Sequence, residues 1–108
     1  MRINDYLDSG EEILYKKTIG RTTSYTDGVY TDLSTIYITN RKILSTGTLH
    51  NKECRPQAWL WKHIENIEIE TGEEKLRTIY FKNATGRTFG ELFFMDEEVY
   101  AQLIRHWK

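Results

Sequence analysis

The sequence predicts a mainly β fold in which seven strands are followed by one C-terminal α-helix. Turn-forming residues recur at short spacing, which is typical of antiparallel β-structure. The segments between the turns are rich in Ile, Val, Thr, Tyr, Phe and Trp, residues that favour strands. After Asp96 the apolar residues take a helical spacing instead. Together these three observations indicate strands first and a helix last.

The chain has the size and composition of a single globular domain, residues 1–108. It contains 39% hydrophobic and 13% aromatic residues, which is enough for a packed core. It has one proline and seven glycines, with no repeat and no low-complexity stretch that would mark a linker. A chain near this length buries roughly 60–70% of its unfolded surface, so we expect a core that needs no metal or disulfide.

The predicted strands lie between successive turn signals. Two tight turns are indicated at Asp27-Gly28 and Asn40-Arg41, and a longer loop runs from Gly47 to Pro56. In the segment NIEIE, Ile67 and Ile69 alternate with glutamates, so one face of that strand is expected to be buried. The strands are placed at 13–24, 29–39, 42–48, 57–61, 66–71, 76–83 and 87–95.

The stretch YITNRKIL, residues 37–44, reads as a hairpin with a two-residue turn. That turn fixes the register, so Ile38 is expected opposite Ile43 and Tyr37 opposite Leu44. Asn40 is expected to supply a positive φ at the turn, because Asn tolerates that conformation.

The C-terminal segment predicts an amphipathic helix. Val99, Leu103 and Trp107 lie on one helical stripe with Tyr100 and Ile104 beside them. Asp96 is the expected N-cap, and acidic residues follow it where the positive end of the helix dipole lies. The simplest arrangement is a strongly bent sheet or partly open barrel of seven strands whose open end is capped by this helix.

Three short motifs recur in this order in a known family. They are LDSGEE (7–12) before the first strand, ITNRKI (38–43) at the second turn, and WKHIENI (61–67) before the fifth strand. With the closing helix, they make the chain resemble the bacterial pleckstrin-homology-like (PH-like) domains and the related GRAM group from about Leu7 to Trp107. The resemblance implies a seven-stranded bent barrel capped by a C-terminal helix, and it implies no enzyme activity.

Relatives of that family that bind phosphoinositides use basic residues on the first two strands. Here Lys16, Lys17 and Arg21 occupy the first side, but the second side carries Asp27 and Asp32. The two acids argue against inositol-lipid binding. The net charge of -1 likewise provides no general attraction for nucleic acid or an anionic membrane, so we expect no nucleic-acid partner.

No catalytic or metal-binding pattern stands out, and the expectation is a protein that is not an enzyme and has no cofactor. His50 and Cys54 lie four residues apart in a loop, without the further ligands that structural zinc needs. A lone cysteine and the absence of an apolar leader or a bilayer-length apolar run (about 20 residues) predict a cytoplasmic protein.

Binding is therefore the expected role, and two regions are its candidates. The hairpin tip around residues 21–32 carries Tyr25 and Tyr30 among polar residues, and loops on rigid scaffolds commonly carry binding sites. Trp59 is a candidate for a contact surface, whereas Trp61 and Trp107 are expected to be core packing.

Three functions follow from these candidates. The leading hypothesis is a non-enzymatic interaction module that contacts a protein partner or a second copy, forming a homo-oligomer, through strand edges, the hairpin and the Trp59 region. The alternative is a peripheral anionic-lipid or membrane-surface binder that uses the basic residues Lys16, Lys17, Arg21, Arg41 and Lys42. A third, an enzyme or small-molecule carrier, would need polar residues that point into the barrel.

Overall fold

The computed structural model describes residues 3–107, which form eight strands, two short 3-10 helices and one α-helix. The 3-10 helices span Ile3–Tyr6 and Trp61–His63, and the α-helix, α1, spans Glu97–His106. The strands are β1 Ile13–Tyr25, β2 Gly28–Thr39, β3 Lys42–Leu49, β4 Lys52–Glu53, β5 Gln57–Leu60, β6 Asn66–Ile69, β7 Arg77–Lys82 and β8 Thr88–Met95. The mainly β class with one C-terminal helix is thus confirmed.

The strands form two antiparallel sheets rather than a closed barrel. The first has the order β1-β2-β3-β4, with β5 also paired to β3, and the second has the order β6-β7-β8. The eighth strand, β4, lies inside the segment that the sequence predicted as a loop. It forms because His50 and Asn51 both have positive φ (51° and 64°), which makes a two-residue hairpin turn and brings Leu49 opposite Lys52.

The core lies between the two sheets and under α1. Ile36, Ile38 and Ile43 come from the first sheet, and Phe81 and Met95 are among the buried residues of the second. α1 adds Val99 and Leu103, which are fully buried, and its N-cap is Asp96, whose Oδ1 accepts from Val99 N–H at 2.9 Å. The predicted helix, its cap and its buried stripe are confirmed at these residues.

The hairpin of residues 37–44 has the predicted register, but its turn is held differently. Ile38 pairs with Ile43 and Tyr37 with Leu44. The prediction that Asn40 adopts a positive φ is wrong: within residues 3–107 the non-glycine residues with positive φ are His50, Asn51 and Phe94. Asn40 instead ties the turn to the chain before β1, because its Oδ1 accepts from Glu12 N–H at 2.8 Å.

The buried side chain of Thr39 holds this turn through hydrogen bonds to its backbone. Its hydroxyl accepts from the N–H groups of Arg41 (3.1 Å) and Lys42 (2.9 Å) and donates to the Glu11 carboxylate. Its carbonyl accepts from the indole N–H of Trp61 at 2.7 Å. Trp61 was predicted to end a strand, but β5 stops at Leu60 and Trp61 begins the 3-10 helix that carries the chain to the second sheet.

β8 is bulged near its C-terminal end. Phe93 and Phe94 on β8 lie opposite the single residue Thr78 of β7, between the pairs Ile79–Leu92 and Arg77–Met95. Phe94 takes a φ of 59° there. The extra residue keeps both Leu92 and Met95 in the core while the two phenylalanines face outward.

Candidate functional site

A cleft of about 350 Å³ opens where β8 faces the outer half of the first sheet. Its floor is formed by inward-facing residues of β1, β2 and β3, and its walls by the loop before β5 and by residues 91–95 of β8. The floor is polar, with Asp32 and Ser34 on β2 and Ser45 on β3. The structure therefore contains the inward-pointing polar residues that a small-molecule site requires.

Asp32 is the most buried charged residue of this cleft, with 5% of its surface exposed. Its Oδ1 accepts from Asn51 N–H at 3.1 Å and from the Thr48 hydroxyl at 3.2 Å. Burial opposes ionisation, but these hydrogen bonds and the nearby backbone N–H of His50 outweigh it and hold the pKa of Asp32 below its usual value. Asp32 is therefore an ionised group that anchors the β3–β4 turn.

Arg21 crosses the cleft from β1 to β8. Its guanidinium lies over the Phe94 ring, with Cζ 3.8 Å from the ring centroid, which is a cation–π contact. Arg21 and Asp32 are opposite each other on neighbouring strands and both line the cleft. No ion pair joins them, and within residues 3–107 the guanidinium has no carboxylate partner.

Two of the predicted basic residues, Lys42 and Lys17, are held in close ion pairs with partly or fully buried partners. Lys42 is 8% exposed, and its Nζ lies 3.1 Å from Oε1 of Glu11. The Thr39 hydroxyl and Lys42 outweigh the burial of Glu11 and lower its pKa. Lys17 lies 2.6 Å from Oδ2 of Asp96 and 3.2 Å from Oε2 of Glu98. Both ammonium groups are thus paired with carboxylates of the same chain.

The two remaining predicted basic residues, Arg41 and Lys16, face solvent but do not form one patch. Arg41 is exposed and lies 3.7 Å from the exposed Asp8 carboxylate. Lys16 is exposed on the outer face of β1, with its Nζ 5.5 Å from the centre of the Tyr37 ring.

The start of α1 is joined to β1 by a charged cluster of Tyr15, Lys17, Asp96 and Glu98. The Tyr15 hydroxyl donates to the Glu98 carboxylate, and burial together with that bond raises the pKa of Tyr15 to about 12. Hydrogen bonds from Tyr15 and Lys17 lower the pKa of Glu98. For Asp96 burial acts in the opposite direction, but the bond from Lys17 and the helix N–H groups prevail and lower its pKa. The cluster is a structural clasp between helix and sheet.

The predicted tyrosines of the hairpin tip form an aromatic cluster with His50. The Tyr30 ring stacks on the His50 ring with 4.7 Å between the ring centroids, and the Tyr25 ring contacts His50 edge-on with 4.4 Å between the centroids. Tyr30 also donates to Asp27 at 2.8 Å, which raises the pKa of Tyr30. The sequence did not link His50 to these tyrosines, because the β3–β4 turn brings them together. They brace the turn that Asp32 anchors.

The three tryptophans pack against the core, and Trp59 also reaches a groove. Its ring lies 5.2 Å from Phe81, and its indole covers Gly90 of β8. Trp59 lines a second hollow of about 340 Å³ between β5 and β8, together with Phe89 and Phe93. The expected core packing of Trp61 and Trp107 agrees with their position beside the buried cluster.

Sequence reasoning missed the outward phenylalanines and the polar floor. Phe89, Phe93 and Phe94 are 37%, 56% and 43% exposed. No pattern in the strand signals the bulge that turns Phe93 and Phe94 outward. The sequence does contain a signal for the polar floor. Asp32 and Ser34 are separated from the core residues Ile36 and Ile38 by even numbers of positions on β2, so all four side chains lie on the same face of the strand.

Neither a metal cluster nor a membrane span is found in the part of the chain that is described. No group of three or more His, Cys, Asp or Glu residues there is arranged to hold a metal ion. Within residues 3–107, no helix has the length and apolar character needed to cross a membrane. Cys54 is an exposed free thiol on the wall of the cleft.

Comparison with known proteins gives one structural likeness. No family model matches the sequence, and no curated protein matches it. The structure is similar to the crystal structure of the C-terminal domain of an unknown protein from Leishmania infantum, with a TM-score of 0.62 and 16% sequence identity. The match covers 97% of this chain and 90% of that chain. At this identity the likeness concerns the fold alone.

Proposed function

We propose that this chain is a non-enzymatic interaction domain of PH-like architecture that binds an extended protein segment along the free edge of β8. The observation that carries the proposal is the edge itself. Within residues 3–107, β8 pairs only with β7, and it exposes Phe89, Phe93 and Phe94. An edge strand offers unpaired N–H and C=O groups, and aromatic side chains beside it supply apolar contact area.

The PH-like architecture is supported by how the strands are distributed. Apart from the two-residue β4, the first sheet contributes four strands and the second three, and α1 buries its apolar side against their shared core. The resemblance in sequence implies seven strands and a capping C-terminal helix, and these seven strands and α1 are consistent with that architecture. The cleft and the hollow beside Trp59 then lie where the two sheets separate.

The surroundings of β8 favour a peptide in extended conformation. The hollow beside β5 and the cleft near residues 91–95 both border β8, so side chains of an added strand would find space next to Phe93. Natural edge strands are usually protected by lysine or proline, and β8 contains neither. Its single charge is Glu91, and its register against β7 shifts at two places, at Phe89 and at Phe93–Phe94, with regular pairing between them.

The partner in this proposal is a segment of another protein or β8 of a second copy, in the cytoplasm. A reducing compartment suits the free, exposed Cys54. The alternative, an anionic-lipid surface, is less well supported because Lys17 and Lys42 are already paired with carboxylates. Only Lys16 and Arg41 of the predicted set face solvent, and each side chain already has a contact.

Photo-crosslinking tests the β8 edge directly. A benzoyl-phenylalanine is placed at Phe93 and, as the matched control, at Val29 on β2, which is 65% exposed. Discrete adducts at position 93 and none at position 29 are expected in cells, and light scattering of the purified chain shows whether the partner is a second copy. A monomer without adducts at position 93 would refute the proposal.

Vesicle co-sedimentation separates this function from the lipid alternative. Binding to anionic vesicles that weakens with salt, and that falls in a Lys16→Gln/Arg41→Gln variant, would favour the lipid surface instead. We expect no salt-sensitive binding. The same variant should leave the crosslinking at Phe93 unchanged, since neither residue borders β8.

A further inference from the structure

We infer that the cleft beneath β8 binds a small zwitterion of the α-amino-acid class, with its ammonium on Oδ2 of Asp32 and its carboxylate on Arg21. This site lies on the floor of the cleft, and β8, whose free edge is the proposed peptide surface, forms one wall of the same cleft. The two proposals are tested with different probes, so either can fail alone. It would give the interaction domain a small-molecule ligand.

The first support is an unused oxygen on Asp32. Oδ1 receives the hydrogen bonds that anchor the β3–β4 turn, whereas Oδ2 is buried and has no partner within residues 3–107. Buried carboxylate oxygens are nearly always hydrogen-bonded, because the charge is otherwise removed from water without compensation. Anchoring the turn requires only one oxygen, so the structure leaves the second oxygen for a donor that enters the cleft.

The second support is the state of Arg21. Its guanidinium stacks on Phe94 and has no ion pair with any of the described residues 3–107, although Asp32 lies opposite it on the neighbouring strand. A stacked guanidinium keeps its N–H groups in the plane available, and that planar fork matches a carboxylate. Acid and base thus line one cleft without neutralising each other. A ligand that bears both charges can pair with each.

The size and charge of the cleft select this class of ligand. A volume of about 350 Å³ is at the lower end for small-molecule sites, which suits a single amino acid. The lining carries two acids, Asp32 and Glu91, and two bases, Arg21 and Arg55. A ligand with zero net charge therefore fits better than a cation, which would meet both arginines, or an anion, which would meet both acids.

The test is an NMR titration of the ¹⁵N-labelled full chain with glycine, L-alanine, L-serine, L-leucine and L-glutamate. We expect saturable shifts of the amides of Asp32, Ser34 and Thr48 with at least one of these probes. N-acetylation of that probe, which removes its ammonium, and amidation, which removes its carboxylate, should each weaken binding by about tenfold or more. If none of the five probes gives saturable shifts in the cleft, the proposal is wrong.

Variants locate the binding at the two charges. Asp32→Asn keeps an oxygen for the turn and Arg21→Gln keeps much of the side-chain length, and each should weaken binding by about tenfold. Asp27→Asn is the matched control, because that acid lies at the hairpin tip outside the cleft lining, and it should bind like the wild type. Equal affinity in Asp32→Asn and the wild type would overturn the assignment.

A third variant covers the case in which Asp32→Asn does not fold. Ser34→Leu places a larger apolar side chain on the cleft floor, away from the bonds that anchor the β3–β4 turn, and it should remove the shifts at Asp32 and Thr48 while the remaining spectrum stays that of the folded protein. Shifts that persist in this variant would place the probe elsewhere and refute the site.

Discussion

Replacing Gly90 with alanine tests how β8 packs on the first sheet. A Cβ at residue 90 would lie 2.6 Å from Cδ1 and 2.8 Å from Cε2 of Trp59, with Nε1 closer still. Carbon atoms pack at about 3.5–4.0 Å, so the indole must move by about 1 Å. It has little room to do so, because its other contacts include the fully buried Phe81.

The expected loss follows from those distances. Overpacking a buried site costs about 1–3 kcal/mol, and a Gly→Ala change returns about 0.4–1 kcal/mol through the unfolded chain. We therefore expect Gly90→Ala to lower the free energy of unfolding by about 1–2 kcal/mol, which for this size of domain is about 4–16 °C in Tm. Urea titration followed by tryptophan fluorescence measures the loss.

Gly20 supplies the matched control, since it also lies in a strand. A Cβ there would be 3.4 Å from a flexible methyl group of Leu33, an ordinary contact, so Gly20→Ala should be neutral or slightly stabilising. A double-mutant cycle with Trp59→Leu isolates the cause, because the smaller side chain leaves room for the new methyl group. The reasoning is refuted if Gly90→Ala costs the same in the Trp59→Leu background as in the wild type.

Three further predictions concern the polar contacts. The lowered pKa of Asp96 means that its stabilising contribution is complete above the unfolded value of 3.8 and is lost as the pH falls through the folded value. Asp96→Asn, which keeps the cap but loses the bond to Lys17, should flatten the acid limb of stability against pH, while Asp96→Ala should lose about 1 kcal/mol more. Equal pH profiles for the Asn variant and the wild type would contradict this. Thr39→Val should lower the free energy of unfolding, measured by urea titration, by about 1–3 kcal/mol, because buried N–H groups of the turn lose their acceptor. A decrease of less than about 0.5 kcal/mol would contradict this role of Thr39. Because the pKa of Tyr15 is about 12, Tyr15→Phe should remove the step near that pH in an absorbance titration of tyrosine ionisation. If the step that disappears lies near the ordinary value of 10.0 instead, the contact between Tyr15 and Glu98 is contradicted.

Much of the fold is predictable because its signals are local. Turn residues and strand-forming segments place seven of the eight strands to within a few residues, and the α-helix follows from Asp96 and its apolar stripe. The hairpin register follows from turn length alone. By contrast, β4 depends on two non-glycine residues, His50 and Asn51, that accept positive φ because Asp32 and the aromatic cluster hold the turn.

The sites are less predictable, since they depend on which residues meet across the two sheets. The sequence identified Arg21, Lys17 and Lys42 as candidate contacts for an anionic lipid surface. Only the tertiary structure shows that Lys17 and Lys42 pair with carboxylates of distant segments and that Arg21 stacks on Phe94.

By itself, then, the sequence determined the class of fold, because strand, turn and helix preferences are set by neighbours along the chain. The tertiary structure decided which charges remain available and which strand edge stays open. Those properties depend on burial and on contacts between residues far apart in sequence. Asp32 illustrates the difference: in the sequence it is an acid that argues against inositol-lipid binding, and in the fold it is a buried carboxylate with one oxygen that has no partner within residues 3–107.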